Sequence, residues 1–140
     1  MDTEAQKKLC IEFQLAMDRG DGEFVDSVLT PDFTFENMES EPIHNPQTGE
    51  TYGPKLSREE YLTHGVPAIR KFTTDGMHFA FEFVISEGPF VAIFGSSNGT
   101  GVNGKKYANR YCWLFHFAGD KIDMKREYRD TYLARKTLFE

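Results

Sequence analysis

The second half of the chain contains four runs in which apolar and polar side chains alternate, and this pattern constrains the fold most. A period of two is typical of β-strands that bury one face. The turns between the runs are explicit: Glu87-Gly88-Pro89, Asn103-Gly104 and Ala118-Gly119-Asp120. Asn-Gly between alternating runs is the strongest short-range signal for a β-hairpin. The sequence therefore predicts a strongly bent, mostly antiparallel sheet.

Helical patterns precede this sheet. Apolar side chains recur at helical spacing from Thr3 to Asp18, and the Arg-Gly-Asp-Gly segment that follows carries glycines that commonly end a helix. Asp21 can cap a second, short helix, and Pro31 ends it because proline cannot continue a helical hydrogen-bond pattern. The chain is therefore expected to open with a helical hairpin.

A strand, a long loop and a third helix connect the hairpin to the sheet. The segment DFTFEN alternates as a strand, and residues 38–55 are rich in Pro, Gly and Asn, which predicts a loop with at most a short edge strand. Ser57 and Glu60 form a capping-box pattern at the start of the third helix. Gly65 and Pro67 should kink that helix.

Composition limits the classes of function. A length of 140 residues fits one domain, residues 1–140, and 13 Phe predict a core unusually rich in rings. The formal net charge of −6 argues against a nucleic-acid partner, because phosphate binding requires a clustered positive surface. The polar first segment and the lack of a long apolar run predict a cytoplasmic protein without a membrane span. Cys10 and Cys112 fit reduced, buried thiols.

The strand predicted from Lys105 to Phe117 carries an aromatic row on one face. Five aromatic residues and one amide, Asn109, form this row. Its members are Tyr107, Asn109, Tyr111, Trp113, Phe115 and Phe117. Two interpretations remain open. The row is either a helix-covered core in which the amide bonds to backbone, or the wall of a ligand pocket, since such pockets are largely apolar with a few convergent polar groups.

The last predicted strand, Lys121 to Thr131, has one charged face. That face, opposite Ile122, Met124, Arg126 and Tyr128, carries four side chains: Asp123, Lys125, Glu127 and Arg129. If the charged face meets bulk water, Glu127 adds only solubility, whereas inside a pocket it is a candidate acid or base. The residues of this strand alone favour the solvent-exposed interpretation.

Metal and nucleotide sites have little support in the sequence. The four histidines lack ligand spacing, and neither cysteine stands in a Cys-x-x-Cys pair. The glycine-rich segment from Gly95 to Gly101 lacks a P-loop lysine and a strand-to-helix context, and it better fits a bend in the sheet. We therefore expect no metal and no cofactor.

The order of the predicted elements and one C-terminal segment resemble a known family. The segment YANRYCWLFHFAGDKIDMKREYRDT, residues 107–131, is similar to a pattern of the SnoaL-like branch of the superfamily that includes ketosteroid isomerase, limonene epoxide hydrolase and nuclear transport factor two. That pattern is Tyr-x-Asn-x-Tyr, an aromatic run, a glycine turn, Lys-Ile and Glu-Tyr-x-Asp. The resemblance implies an α+β conical domain, in which N-terminal helices pack on a strongly curved, mostly antiparallel mixed sheet and enclose an apolar pocket.

The resemblance also implies site residues. The acidic residue that takes part in proton transfer on the last strand of the epoxide hydrolases corresponds to Glu127, so the charged face would look into the pocket. Similarity to phenazine-biosynthesis condensing proteins implies roles for Glu127, His64 and Asn109, and the water-binding amide of the epoxide hydrolases corresponds to Asn37. We predict Glu127 as the main acid or base and His64 as its partner. The predicted substrate contacts are Asn109, Tyr111, Trp113, Tyr107, Phe35 and Tyr61.

The activity that this implies is cofactor-independent acid–base chemistry, such as isomerisation, cyclisation or dehydration of a small, partly apolar, oxygenated metabolite. Asn37 stands where the ketosteroid isomerases carry an Asp, and residues 96–98 lack the Arg and Asp of the epoxide hydrolases. Three alternatives stay open: a non-catalytic carrier with the same pocket, epoxide hydrolase-type water addition, and a protein-interaction module. The expected partners are a small hydrophobic or aromatic metabolite and a second copy of the chain, paired through the sheet, with no nucleic acid and no membrane.

Overall fold

A mixed β-sheet forms the centre of the fold. The computed structural model describes residues 1–46 and 48–140, and the strands in these ranges are β1 (Leu29–Asn37), β2 (Ile43–His44), β3 (Thr51–Tyr52), β4 (Lys55–Ser57), β5 (Ala80–Glu87), β6 (Phe90–Ser96), β7 (Gly99–Thr100), β8 (Lys106–Tyr107), β9 (Arg110–Ala118) and β10 (Lys121–Arg129). The main sheet has the order β4-β1-β10-β9-β6-β5 and is antiparallel except between β1 and β10. The predicted mostly antiparallel sheet is therefore confirmed.

The helices begin and end where capping chemistry allows. They are α1 (Thr3–Arg19), α2 (Gly22–Val28), α3 (Arg58–Glu60), α4 (Val66–Phe72) and α5 (Thr131–Leu138). Asp2 caps the start of α1. Gly20 follows the last helical residue as the C-cap, and its φ of 72° favours glycine. Asp21 caps α2 through the Phe24 N–H, and Ser57 with Glu60 forms the capping box of α3. These predicted helix starts are confirmed.

The aromatic row is buried and meets the first helix at Phe115. Every member of that row is at most 7% exposed, so the alternation correctly identified the buried face of β8 and β9. Phe13 of α1 meets Phe115 edge to face, with 5.4 Å between the ring centroids. Burial of these rings supplies much of the apolar contact between the helical layer and the sheet.

The third helical segment is distorted before its proline. Tyr61–Gly65 forms a π-helical turn between α3 and α4, in which the Val66 N–H bonds to the Tyr61 carbonyl. Pro67 has no N–H to donate and its ring crowds the preceding turn, so a wider turn relieves the helix at this point. The irregularity expected from Gly65 and Pro67 is therefore a π-helical turn.

Several elements differ from the sequence prediction. Helix α2 ends at Val28, and Pro31 lies inside β1 instead of ending the helix. The segment from Pro89 to Gly101 divides into β6 and β7. The last strand ends at Arg129, and Asp130 caps α5, a helix that the pattern analysis missed. The strand predicted from Lys105 to Phe117 divides into β8 and β9 around Asn109, whose side chain accepts from the Arg110 N–H and donates to the Asp130 carbonyl. Residues 38–55, residue 47 aside, contain the β2–β3 hairpin as well as the start of β4.

The face of β5 and β6 that points away from the helices carries exposed apolar side chains. Phe83 and Ile85 are each 57% exposed, and Phe90 and Phe94 are 44% and 39% exposed. Phe83 and Phe94 are cross-strand partners with ring centroids 6.5 Å apart. Adjacent apolar groups on an open sheet face are typical of an interaction surface.

Candidate functional site

A cavity of about 130 Å³ lies between the sheet and the helices. Its walls are mainly apolar and include Met17, Phe35, Leu56, Ile69, Phe72 and Phe79. Its polar lining includes Gln14, Asn37, His64, Lys125, Glu127 and Arg129. An apolar cavity with few polar groups is the usual form of a small-molecule site.

An irregularity in β10 turns three charged side chains into this cavity. The pairing of β10 with β9 shifts register between Ile122 and Met124. Strict alternation predicted Ile122 on the face opposite Lys125, but Ile122 is fully buried and Lys125 is only 2% exposed. The shift also separates the Asp123 side chain from the other three charged side chains. Asp123 Oδ1 instead contacts His116 Nδ1 at 2.6 Å. The predicted charged face is therefore wrong at Asp123.

Glu127 is held by two donors at the cavity wall. Trp113, its partner on β9, donates from Nε1 to Glu127 Oε1 at 2.9 Å. Arg129 Nη1 lies 3.2 Å from Glu127 Oε2, and the carboxylate side chain is 17% exposed. Both contacts fix the carboxylate in one orientation, which is what positioned proton transfer requires.

Arg129 connects the cavity to the C-terminal helix. Its Nη2 lies 3.3 Å from Oε1 of the buried Glu39, whose Oε2 accepts from Arg135 Nε of α5 at 3.0 Å. Burial disfavours the guanidinium charge, but the negative charge of Glu127 and its neighbours outweighs burial and raises the pKa of Arg129. This chain of ion pairs fixes α5 beside the cavity.

Lys125 places an amine among aromatic rings. Its Nζ donates to the Tyr61 hydroxyl at 3.1 Å and lies 5.0 to 5.8 Å from four ring centroids. The rings belong to Phe13, Phe35, Tyr61 and Phe115. Desolvation lowers the pKa of Lys125 to about 8, although the Glu127 carboxylate opposes this shift.

Tyr61 is a buried phenol in the same wall. Its hydroxyl donates to Met17 Sδ at 3.3 Å and accepts from Lys125. Desolvation, with a smaller contribution from Glu127, raises the pKa of Tyr61 well above its ordinary value, so the group stays protonated. A neutral phenol at this position can donate to an oxygen that gains negative charge.

The structure brings six of the nine predicted site residues to the cavity lining. They are Glu127, His64, Asn37, Tyr111, Phe35 and Tyr61. Trp113, predicted as a substrate contact, is not part of that lining and supports Glu127 from behind through its indole N–H. Asn37 Oδ1 accepts from the Glu39 N–H, and within the described ranges Asn37 Nδ2 makes no bond, so it is available to a ligand.

Asn109 and Tyr107 lie behind the cavity wall. Asn109 Nδ2 donates to the Tyr107 hydroxyl at 2.8 Å and to the Asp130 carbonyl at 3.0 Å. The Tyr107 hydroxyl also accepts from the Tyr111 hydroxyl at 3.1 Å. Neither Asn109 nor Tyr107 belongs to the cavity lining, so the predicted substrate contacts of these two residues are replaced by contacts that join β8, β9 and the start of α5.

His64 lies at the rim and has a different partner from the one predicted. Its Nδ1 is 3.7 Å from Glu50 Oε2, and its side chain is 43% exposed. Among the described residues, Glu127 forms its ion pair with Arg129 and not with His64. The π-helical turn places the imidazole between the cavity and solvent, where it contacts Tyr52 edge to face.

Sequence reasoning assigned no site role to three polar residues of the cavity lining: Gln14, Lys125 and Arg129. Lys125 was predicted only as a member of the charged strand face, although a lysine within an inward-facing row of a strand is a signal for a functional amine. Gln14 lies on the buried face of α1, and its Oε1 has no hydrogen-bond partner among the described residues. A buried acceptor in a cavity wall favours a ligand with a donor group, because an unpaired buried acceptor is costly.

The described ranges contain neither a candidate metal cluster nor a candidate membrane-spanning helix. No group of three or more His, Cys, Asp or Glu side chains there has a geometry that could hold a metal ion. None of the helices there combines the length and apolarity needed to cross a membrane.

Solved structures share this fold over nearly the whole chain. An NTF2-like protein from Burkholderia pseudomallei is 18% identical, with all of both chains covered and a TM-score of 0.76. An epoxide hydrolase of the LEH-like type from M. tuberculosis is 17% identical, with 97% of this chain and 90% of that chain covered and a TM-score of 0.72. Bal32a, from a soil-derived mobile gene cassette, is 14% identical with a TM-score of 0.77 and 98% of each chain covered. At these identities the likeness shows the fold alone.

Sequence comparison gives the family. A search of curated proteins finds no match. The family model described as a SnoaL-like domain matches residues 12–123, which include α2, the π-helical turn and the strands as far as the start of β10. The chain therefore belongs to the SnoaL-like domain family.

Proposed function

We propose that this protein is a cofactor-independent acid–base enzyme that moves a proton on a small, partly apolar, oxygenated metabolite. One observation carries the proposal: Glu127 is the single carboxylate among the described cavity-lining residues, and Trp113 and Arg129 hold it in place. A positioned carboxylate in an apolar cavity is suited to general acid–base catalysis.

The proposed mechanism begins with Glu127 as the base. It takes a proton from a carbon next to a carbonyl, and negative charge develops on the carbonyl oxygen. Three donors of the lining are available to stabilise that charge: the Tyr61 hydroxyl, Asn37 Nδ2 and the Lys125 ammonium. Return of the proton to another carbon gives isomerisation, and its return to a β-hydroxyl, which leaves as water, gives dehydration. Attack by the enolate carbon on a second carbonyl, whose oxygen takes the proton, gives cyclisation.

Gln14 and His64 complete the proposal. The unpaired Gln14 Oε1 can accept a hydrogen bond from a substrate hydroxyl and so orient it. His64 faces both the cavity and solvent, so it is placed to pass protons between Glu127 and bulk water when the cavity is occupied.

Deuterium exchange tests this function without knowledge of the natural substrate. Propanal and cyclohexanone are incubated with the protein in D₂O, and deuterium incorporation beside the carbonyl is followed by NMR. Wild type should exceed the Glu127→Gln variant by about 100-fold or more, in line with the loss of a general base. Glu36→Gln is the matched control. Glu36 Oε1 also pairs with an arginine, lying 3.8 Å from Arg126 Nε, but Glu36 does not line the cavity.

The carrier alternative gives a different result. If wild type binds these compounds yet does not exchange their protons faster than Glu127→Gln does, the protein is a binding module and the proposed activity is wrong.

We also propose that the enzyme is a cytoplasmic homodimer paired through the exposed face of β5 and β6. The free thiols of Cys10 and Cys112 support a reducing compartment. The exposed Phe83, Ile85 and Phe94 support a symmetric pairing of two sheets, since a twofold contact buries the same apolar patch on both copies.

A further inference from the structure

Lys125 differs from every other lysine of the chain. It is 2% exposed, whereas the others lie on the surface or are only half-buried. Within the described ranges its Nζ makes no salt bridge, and its hydrogen bond goes to the Tyr61 hydroxyl. Burial of an unpaired ammonium is costly, so its retention in a cavity wall indicates a use.

The surroundings favour a reactive amine. Desolvation brings the pKa of Lys125 to about 8, so about 9% of the side chain is neutral at pH 7, against about 0.04% for an ordinary lysine. Only the neutral amine has the lone pair that attacks carbonyl carbon, and a desolvated lysine is a known way to obtain it. The rings of Phe13 and Phe115 shield the amine from solvent.

We propose that Lys125 forms an imine with an aldehyde or ketone bound in the cavity. The inference rests on the proposed function, because it identifies carbonyl compounds as the substrate class and gives Glu127 a more acidic proton to remove. No cofactor is required, since the side chain itself supplies the nitrogen.

The step balances as a condensation. The neutral Nζ attacks the carbonyl carbon, a C–N bond forms, and the C=O electron pair moves to oxygen, which takes the proton that the nitrogen releases. A second proton converts the hydroxyl of the carbinolamine to water, the C–O bond breaks, and a protonated imine remains. One amine, one carbonyl compound and one proton thus give one iminium ion and one water molecule, with no oxidant or reductant.

The geometry suits both this step and the next. The Tyr61 hydroxyl, bonded to Nζ, is placed to exchange a proton with the oxygen that leaves. Glu127 lies two residues along β10 on the same face, with a backbone spacing of roughly 7 Å from Lys125 by strand geometry, so a substrate carbon beside the imine carbon lies between the two side chains. The apolar walls limit water, which would otherwise hydrolyse the imine.

Reductive trapping tests the inference. The protein is incubated at pH 7 with propanal or benzaldehyde and cyanoborohydride, which reduces an imine to a stable secondary amine, and the modified peptides are identified by mass spectrometry. We expect Lys125 to be labelled at least ten-fold faster than Lys121, an exposed lysine on the same strand. The labelling rate of Lys125 should rise through pH 8, where half of the amine is neutral, and level about one pH unit higher, where the amine is largely neutral.

Matched variants make the test specific. Lys125→Met and Lys125→Arg should lose the fast label, whereas Lys121→Met should keep it. Circular dichroism and cyanoborohydride labelling of surface lysines show that each variant is folded. Labelling of Lys125 at the rate of surface lysines with both aldehydes would overturn the inference.

The two proposals fail in different ways. Deuterium exchange that needs Glu127 but survives Lys125→Arg would leave the proposed function intact and contradict the imine. Fast trapping at Lys125 with no exchange dependent on Glu127 would support the imine and contradict the proposed acid–base role.

Discussion

At the scale of single residues, the cavity owes its character to three charges on one strand face. Lys125, Glu127 and Arg129 follow each other at every second position of β10, in a layer that aromatic rings otherwise fill. Buried charges seldom add stability, because desolvation offsets most of their mutual attraction. The free-energy cost of burying these three charges is consistent with a functional role, because strand pairing alone does not require charged side chains.

Lys125 should make stability depend on pH in a definite direction. Its folded-state pKa, about 8, lies below the ordinary 10.5, so between these values the unfolded chain binds the proton and the folded chain does not. The cost of the buried charge is full below pH 8 and is relieved as pH rises. Relative to Lys125→Met, the free energy of unfolding of wild type should rise by about 2 kcal/mol from pH 7 to 9.5. Urea unfolding of both proteins at several pH values measures this, and a flat or falling difference would contradict it.

At the scale of elements, two irregularities build the site. The register shift of β10 sends Lys125 inward, and the π-helical turn places both Tyr61 and His64 on the cavity side. Gly65 permits that turn, because a Cβ at this position would lie 2.8 Å from Tyr61 Cδ1. Irregular turns of this kind often occur at functional sites.

Gly65→Ala should therefore displace the Tyr61 ring. We expect a loss of about 1–3 kcal/mol in the free energy of unfolding, typical of an overpacked core, together with slower trapping at Lys125 because Tyr61 loses its place beside Nζ. Gly53→Ala is the control, since the nearest atom to its Cβ would be 3.7 Å away. Urea unfolding compares the two variants, and equal stabilities would show that Tyr61 is not fixed by Gly65.

The same irregularities explain what the sequence could and could not predict. Period-two alternation and the Asn-Gly turn correctly predicted the antiparallel strands, because one face of each long strand packs against the core. A one-residue shift changes which side chains face inward, and no local pattern in Lys121–Arg129 marks it, so Asp123 was assigned wrongly. The partner of His64 depends on how the loop carrying Glu50 folds back, which local patterns do not determine. The helix α5 had a local signal, Asp130 before an amphipathic segment, that the strand pattern obscured.

At the scale of the whole molecule, one face of the sheet lines the cavity and the other carries exposed apolar side chains. Helices α1 and α4 cover the cavity side, whereas Phe83, Ile85 and Phe94 are exposed on the other side. A patch of this kind favours self-association in water.

Phe83→Lys should convert a dimer to a monomer, because it places a like charge on both sides of a twofold contact. Sedimentation velocity at micromolar concentration measures the change. Tyr132→Lys, on α5 at a side chain that is 71% exposed, should leave the dimer intact. A monomeric wild type at the same concentration would contradict the proposed pairing.

The central claim is that the Glu127 carboxylate moves protons on a ligand in this cavity. The most direct measurement is the rate of deuterium exchange into cyclohexanone by wild type and by Glu127→Gln, with binding followed in parallel by the fluorescence of Trp113, the sole tryptophan. We predict equal folding, binding of similar strength and a loss of exchange of about 100-fold or more in Glu127→Gln. Exchange by Glu127→Gln at the wild-type rate, with binding unchanged, would contradict the claim.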